Sequence, residues 1–255
     1  MRGPVARHAA VAALLTASLL AFSGGDAEAG YRRGVTPTPR PSRTPTTVPT
    51  AAPAPTATPT PGPTTTWTEP WADTSGWDPV GWPNATVSGG RLTQINQSAA
   101  LQSKRTWDAS KPIVLSGTVS GEPAPGSSTT DFWAGLVLFQ KDDGPGASYA
   151  QFAVERHVPP FTSRSTQLVS LTLPNYPGGS ALSSGAAGRD YAFSIAWNPS
   201  TGKVTYSIDG QVVQTRLASL SGPVRVWTIC VSVGAGRPDN GSAAQCEYGP
   251  VTVDS

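Results

Sequence analysis

Carboxylates, one histidine and two cysteines are the side chains here with the means to do chemistry, and their spacing excludes most of it. Beyond residue 66 the glutamates are Glu69, Glu122, Glu155 and Glu247; none has an acidic neighbour two positions away, and only Glu69 has one at four, Asp73, with Pro70 between them to break a strand. A strand sets alternate residues on one face, so two carboxylates aimed together from one strand at a glycosidic bond would need that spacing. Asp142 and Asp143 are adjacent, which in a strand turns them to opposite faces, and their Gly-Pro-Gly surroundings make a loop. Only carboxylates from different strands could converge. His157 is the one histidine beyond residue 29, and no Gly-x-Ser-x-Gly elbow accompanies it for a Ser-His-Asp arrangement. Asp142-Asp143-Gly144 offers oxygens to a calcium ion but lacks the fixed acidic spacing of a calcium loop, and reads as a turn. No cofactor is expected.

Binding chemistry is better represented. From Tyr149 to His157 the alternation gives Phe152 and Val154 to one face, the natural core side. Tyr149, Gln151, Glu155 and His157 then share the other face. An aromatic ring beside hydrogen-bonding side chains suits a sugar, which offers C–H faces for stacking and hydroxyls for directional bonds. Arg156 has core parity and is expected to snorkel at an edge. Trp67, Trp71, Trp77 and Trp82 crowd the first stretch after the tail, and read as lids over one end of the core rather than ligand platforms.

Two cysteines, Cys230 and Cys246, read as one disulfide in an exported chain. They flank the turn-rich segment Gly234–Gly241, whose centre is Pro238, so a hairpin there would set them face to face. A Zn²⁺ site is a poorer reading, because two Cys and one His do not fill a tetrahedral shell.

The elements that must position these residues are strands. Tyr191, Phe193, Ile195 and Trp197 alternate with small residues, Asn198–Gly202 turns the chain, and Val204, Tyr206 and Ile208 alternate again. Asp209-Gly210 then makes a tight turn into Gln211-Val212-Val213, a strong hairpin signal because both central residues of the favoured turn need positive φ. Further strands are expected at 85–87, 91–96, 101–107, 113–119, 131–140, 148–157, 166–173, 224–233 and 244–253. Phe132 to Phe139 is apolar on both parities, so this strand should be central and covered on both faces. About a dozen strands without a helical period predict an all-β, two-sheet antiparallel sandwich.

The rest of the chain is an address and a spacer. Residues 1–29 read as a signal peptide: Arg2 and Arg7, an apolar run from Ala9 to Phe22 too short to span a bilayer comfortably, then Ala27-Glu28-Ala29. Residues 30–66 form a Thr/Pro-rich linker that cannot bury enough apolar surface to order itself. Extended as polyproline II, at about 3.1 Å per residue, it would reach roughly 100 Å. All eight Trp fall at or beyond Trp67, so the folded domain is 67–255. That domain has 12 Lys/Arg against 14 Asp/Glu, although the whole chain is +2. Nucleic acid is therefore a poor partner.

The order of these features resembles the concanavalin A-like lectin/glucanase superfamily, laminin G-like domains included, over about residues 71–253. The resemblance lies in Trp77-Asp78-Pro79-Val80-Gly81-Trp82 leading to Val87-Ser88-Gly89-Gly90-Arg91-Leu92, in Ala134–Leu138 followed by Tyr149–Arg156, and in Val204–Val213. It implies a jelly roll with a ligand lying across the concave sheet over Tyr149, Gln151, Glu155 and His157. The Glu-x-Asp-x-Glu strand of its family 16 glycosidases is missing from this chain. The expectation is a secreted or cell-surface, non-catalytic monomer binding a polysaccharide or cell-surface glycan, the mature chain not inserted in membrane. A divergent polysaccharide hydrolase or lyase, and an adhesive module with a protein partner, are the alternatives.

Overall fold

The computed structural model describes residues 65–255 apart from 82, 97, 128–130, 141–147, 157–164, 174–179 and 233–241. Among the described residues there are strands and no helix. In chain order they are β1 (Thr66–Glu69), β2 (Trp77–Gly81), β3 (Ala85–Ser88), β4 (Arg91–Asn96), β5 (Ser98–Ser103), β6 (Trp107–Asp108), β7 (Ile113–Pro123), β8 (Phe132–Gln140), β9 (Tyr149–Arg156), β10 (Gln167–Leu173), β11 (Ser180–Ser184), β12 (Tyr191–Asn198), β13 (Lys203–Ile208), β14 (Gln211–Leu217), β15 (Pro223–Val231), β16 (Ala244–Tyr248) and β17 (Val251–Asp254). Seventeen strands replace the expected dozen, for three reasons, the first being that the expected strand 101–107 is divided into β5 and β6. Short strands β1, β2 and β11 carry little period-two signal. The expected strand 244–253 is broken at Gly249-Pro250, where proline has no N–H to donate to a ladder.

The strands form two antiparallel sheets. A nine-stranded sheet runs β14-β13-β12-β7-β16-β4-β3, with β17 against β7 and β1 against β17. An eight-stranded sheet runs β11-β10-β9-β8-β15-β5-β2, with β6 beside β15. The predicted three-strand run is β12-β13-β14, and its Asp209-Gly210 turn has φ of 50° and 78°, the doubly positive pair that a right-twisted hairpin requires.

Alternation fills the interior. Leu115, Val119, Ile195, Tyr206 and Tyr248 from the nine-stranded sheet meet Phe132, Leu136, Leu138, Phe152, Val154 and Val226 from the other in one buried cluster. Phe152 stacks on Phe193 across the sandwich at 4.7 Å. The Trp-rich start closes one end of this core: Trp71 stacks on Trp77 at 4.9 Å, and Trp67 meets Trp107 edge-on at 5.2 Å. The indole N–H groups of Trp71 and Trp77 donate to the Gly249 carbonyl and the Glu69 carboxylate. Trp67, Trp71 and Trp77 are therefore lids; Trp82 lies outside the described residues.

Cys230 and Cys246 are bonded, with their Cα atoms 5.7 Å apart. The expected hairpin is absent, however: Cys230 stands on β15 and Cys246 on β16, in different sheets. Facing sheets ordinarily lie about 10 Å apart, so the sandwich is pinched here. Small residues allow it. Gly121 is the register partner of Cys246 and Ala134 that of Cys230, and a Cβ built on Gly121 would fall 2.6 Å from the Ala134 Cβ. Close by, the Tyr248 hydroxyl crosses from β16 to donate to the Ile229 carbonyl at 2.6 Å. Burial pushes this hydroxyl far above the ordinary tyrosine range, so it stays a donor.

Candidate functional site

Pairing register places the candidate residues. In the eight-stranded sheet β8 is central, between β9 and β15, and every residue from Asp131 to Phe139 is buried, as its double-sided apolar pattern predicts. Phe132, Ala134, Leu136 and Leu138 face the inter-sheet core. Trp133, Val137 and Phe139 belong instead to a second cluster, drawn only from this sheet, with Tyr149, Ala153, Trp227 and Ile229. That second cluster is the sheet's outer face.

Rows of partners run across this face. One row is Gln151, Val137, Trp227 and Gln102, from β9, β8, β15 and β5 in turn. The next is Ala153, Gly135, Ile229 and Ala100, and beyond it come Glu155, Trp133 and Val231. On the other side lie Tyr149, Phe139 and Arg225. Tyr149, Gln151 and Glu155 therefore do share one face, opposite Phe152 and Val154. His157 lies outside the described residues, as do Asp142, Asp143 and Gly144.

The three are enclosed rather than displayed, at 1%, 1% and 2% exposure for Tyr149, Gln151 and Glu155. Tyr149 lies stacked with Phe139 at 6.0 Å, and Phe139 meets Trp227 at 4.9 Å, so an aromatic strip crosses three strands. Both amide atoms of Gln151 and the indole N–H of Trp227 are buried without a hydrogen-bond partner. An enclosed amide left unsatisfied costs about 1–3 kcal/mol, and folded proteins seldom leave one so. A sugar hydroxyl is one kind of partner that would satisfy it.

Sequence reasoning missed four residues of this face: Trp133, Gly135, Trp227 and Asp131. Parity could have found the first three, since Trp133 and Gly135 have the opposite parity to Phe132 and Leu136, and Trp227 the opposite parity to Val226 and Cys230. Asp131 stands one residue before β8 and is buried. Continuing the alternation of β8 puts it on the Trp133 side, one diagonal from Glu155. Such diagonals bring Cβ atoms to about 7–8 Å or somewhat less. Asp78, four strands from β9, instead sits 3.7 Å from Arg225. No group of three His, Cys, Asp or Glu that could hold a metal ion occurs among the described residues.

No protein-family model and no curated protein matches the sequence. Solved structures do resemble the fold. A Bacillus licheniformis beta-glucanase superposes with a TM-score of 0.52 at 14% identity, over 74% of this chain and 97% of that one. A prokaryotic beta-1,3-1,4-glucanase (lichenase) derived from a mouse hindgut metagenome gives 0.52 at 13%, over 74% and 98%. The Emp46p carbohydrate recognition domain gives 0.50 at 10%, over 72% and 90%. At these identities the likeness is one of fold.

Proposed function

We propose that this chain, a concanavalin A-like jelly roll, is a secreted module that binds carbohydrate on the outer face of its eight-stranded sheet without cleaving it. The observation that carries the reading is the unpartnered Gln151 amide, enclosed on an aromatic-lined face beside Glu155. Glu155 would accept hydroxyl hydrogen bonds, Gln151 would both donate and accept, and the aromatic strip would stack on C–H faces. Similarity of fold to proteins named as glucanases and as a carbohydrate recognition domain agrees with this choice of ligand. The Thr/Pro linker would act as a spacer.

The test is affinity electrophoresis of the full chain through gels holding soluble polysaccharides, with Glu155→Gln alongside. Retardation by at least one polymer is expected, weakened about tenfold in the variant, which corresponds to about 1.4 kcal/mol. No retardation by any polymer rejects the reading.

One observation favours a second reading, a divergent glycoside hydrolase. Asp131 and Glu155 lie on a cross-strand diagonal, and inverting enzymes hold their two carboxylates about 6.5–9.5 Å apart. Release of reducing ends by the chain, abolished in Asp131→Asn, would establish it. Binding without release would leave the first reading in place.

A further inference from the structure

Polar side chains surround the disulfide inside the sandwich. On β4, Gln94 and Asn96 have the parity of Leu92, a residue of the inter-sheet core. On β15, Thr228 has the parity of Val226 and Cys230, and Ser232 continues it just past the strand. The exposures of Gln94, Asn96, Thr228 and Ser232 are 0%, 5%, 0% and 2%.

Register fixes their places. Gln94 is the β4 partner of Cys246, and Asn96 that of Ala244. Thr228 and Ser232 stand two positions either side of Cys230 on the facing strand. The Cys230 sulfur lies 3.4 Å from the Gln94 carbonyl oxygen and 3.5 Å from that of Ala244. Tyr248, the β16 partner of Leu92, reaches the Ile229 carbonyl. Thr228 therefore lies toward the Gln94–Leu92 side of the disulfide, and Ser232 toward the Asn96 side. Both amide atoms of Gln94, the Asn96 Nδ2 and the hydroxyls of Thr228 and Ser232 have no hydrogen-bond partner in the protein. The Asn96 Oδ1, by contrast, accepts from the Asn84 N–H at 2.7 Å. Folded proteins seldom leave such groups unmet, and several in one place point to a shared partner.

We infer that this corner of the interior is a binding site for ordered water, with at least one molecule bridging Gln94 on one sheet to Thr228 on the other. The inference is independent of the carbohydrate reading. Water fits what the walls offer. Gln94 presents donors and an acceptor, Thr228 a hydroxyl that does either, and a buried water takes two to four such partners. The neighbours within each sheet are short: Ala85 stands beside Gln94, and Ala99 and Ala134 flank Cys230. Leu92, Leu136 and the bonded sulfurs add no charge. A metal cation would need more oxygens and negative charge than this, and an anion would need a cation to pair with. Such a bridge ties the sheets by hydrogen bonds beside their covalent tie.

The test uses the full chain and two measurements on Gln94→Met, Thr228→Val and the pair together. Both substitutions keep the side chain close to its size and remove its hydrogen bonds. The first measurement is the thermal midpoint. Each single variant should lower it, because it takes one partner from the water and leaves the opposite group less well met. The double variant should lower it by clearly less than the two losses summed, as expected of groups that share a partner. The second measurement is oxygen-17 magnetic relaxation dispersion, which counts waters held inside a protein for longer than it takes to tumble. The count in the double variant should fall by at least one relative to wild type.

A midpoint that holds or rises in either single variant would mean that the groups are dry and unmet, and would overturn the inference. Losses that simply add would overturn it too, since no partner would then be shared. Coupled losses with an unchanged water count would show that Gln94 and Thr228 bond each other directly, and would replace the water by that contact.

Discussion

Removing the disulfide is the perturbation whose size the structure fixes best. Cys230 and Cys246 are 16 residues apart in sequence and join the two sheets where they are pinched. Closing a loop of that length withdraws about 3 kcal/mol of conformational freedom from the unfolded chain. A second contribution comes from the folded state. Both cysteines are fully buried, beside the close approach of Gly121 to Ala134, so the sulfur atoms cannot be replaced by neighbours moving in. The void adds about 1–2 kcal/mol. The double variant Cys230→Ala, Cys246→Ala should therefore lose about 3–5 kcal/mol and remain folded, since most of a sandwich this size is held by its core. Urea unfolding followed by tryptophan fluorescence measures the loss. The m-value should rise as well, because the unfolded chain without its cross-link exposes more surface. In a scan the thermal midpoint should drop by about 6–12 °C for the entropic part alone, at about 2–4 °C per kcal/mol for a domain near this length. A loss under about 1 kcal/mol would refute the reasoning. So would rapid reduction of the native protein by a hydrophilic thiol, because a bond buried between sheets should be reached only through opening.

Two other predictions test the packing and the surface. Gly121→Ala forces a Cβ to within 2.6 Å of the Ala134 Cβ and about 3.0 Å of the Phe132 ring, and should cost about 1–3 kcal/mol in urea unfolding; an unchanged midpoint would mean the pinch is absent in solution. Arg91 forms paired hydrogen bonds of 2.9 and 2.7 Å to Asp190 and a third of 3.2 Å to Glu247. That hydrogen bonding is the main cause holding the Asp190 carboxyl below its ordinary range, and the group is half exposed. Asp190→Asn should therefore cost only about 0.2–1 kcal/mol at pH 7. With the folded pKa depressed, this stabilisation is present above the unfolded value of about 3.9 and is lost as pH falls through the lower folded value. The difference between wild type and variant should accordingly be constant above about pH 5 and shrink toward pH 2. An equal difference at both ends would contradict it.

What the sequence determined by itself is everything set by local sterics. Alternation at Tyr191–Trp197 and at Phe152/Val154 is a property of one strand's pleat, so the all-β class and the division of Tyr149, Gln151 and Glu155 from the core were legible without any partner strand. The Asp209-Gly210 turn was legible for the same reason, because positive φ is a requirement of two adjacent residues. So was the double-sided burial of β8. The tertiary structure decided what depends on which strand lies beside which. Gln151, Gly135 and Trp227 come from three strands, with Gly135 and Trp227 92 positions apart in the chain, and only the β9-β8-β15 order and its register bring them onto adjacent rows of one face. Cys230 and Cys246 were paired correctly on chemistry, yet the intervening turn residues suggested a hairpin where the chain in fact changes sheets. The enclosure of Tyr149, Gln151 and Glu155 was likewise beyond the sequence. Side-chain direction is written residue by residue, whereas register and sheet assignment are settled by competition among long-range pairings that no single segment encodes.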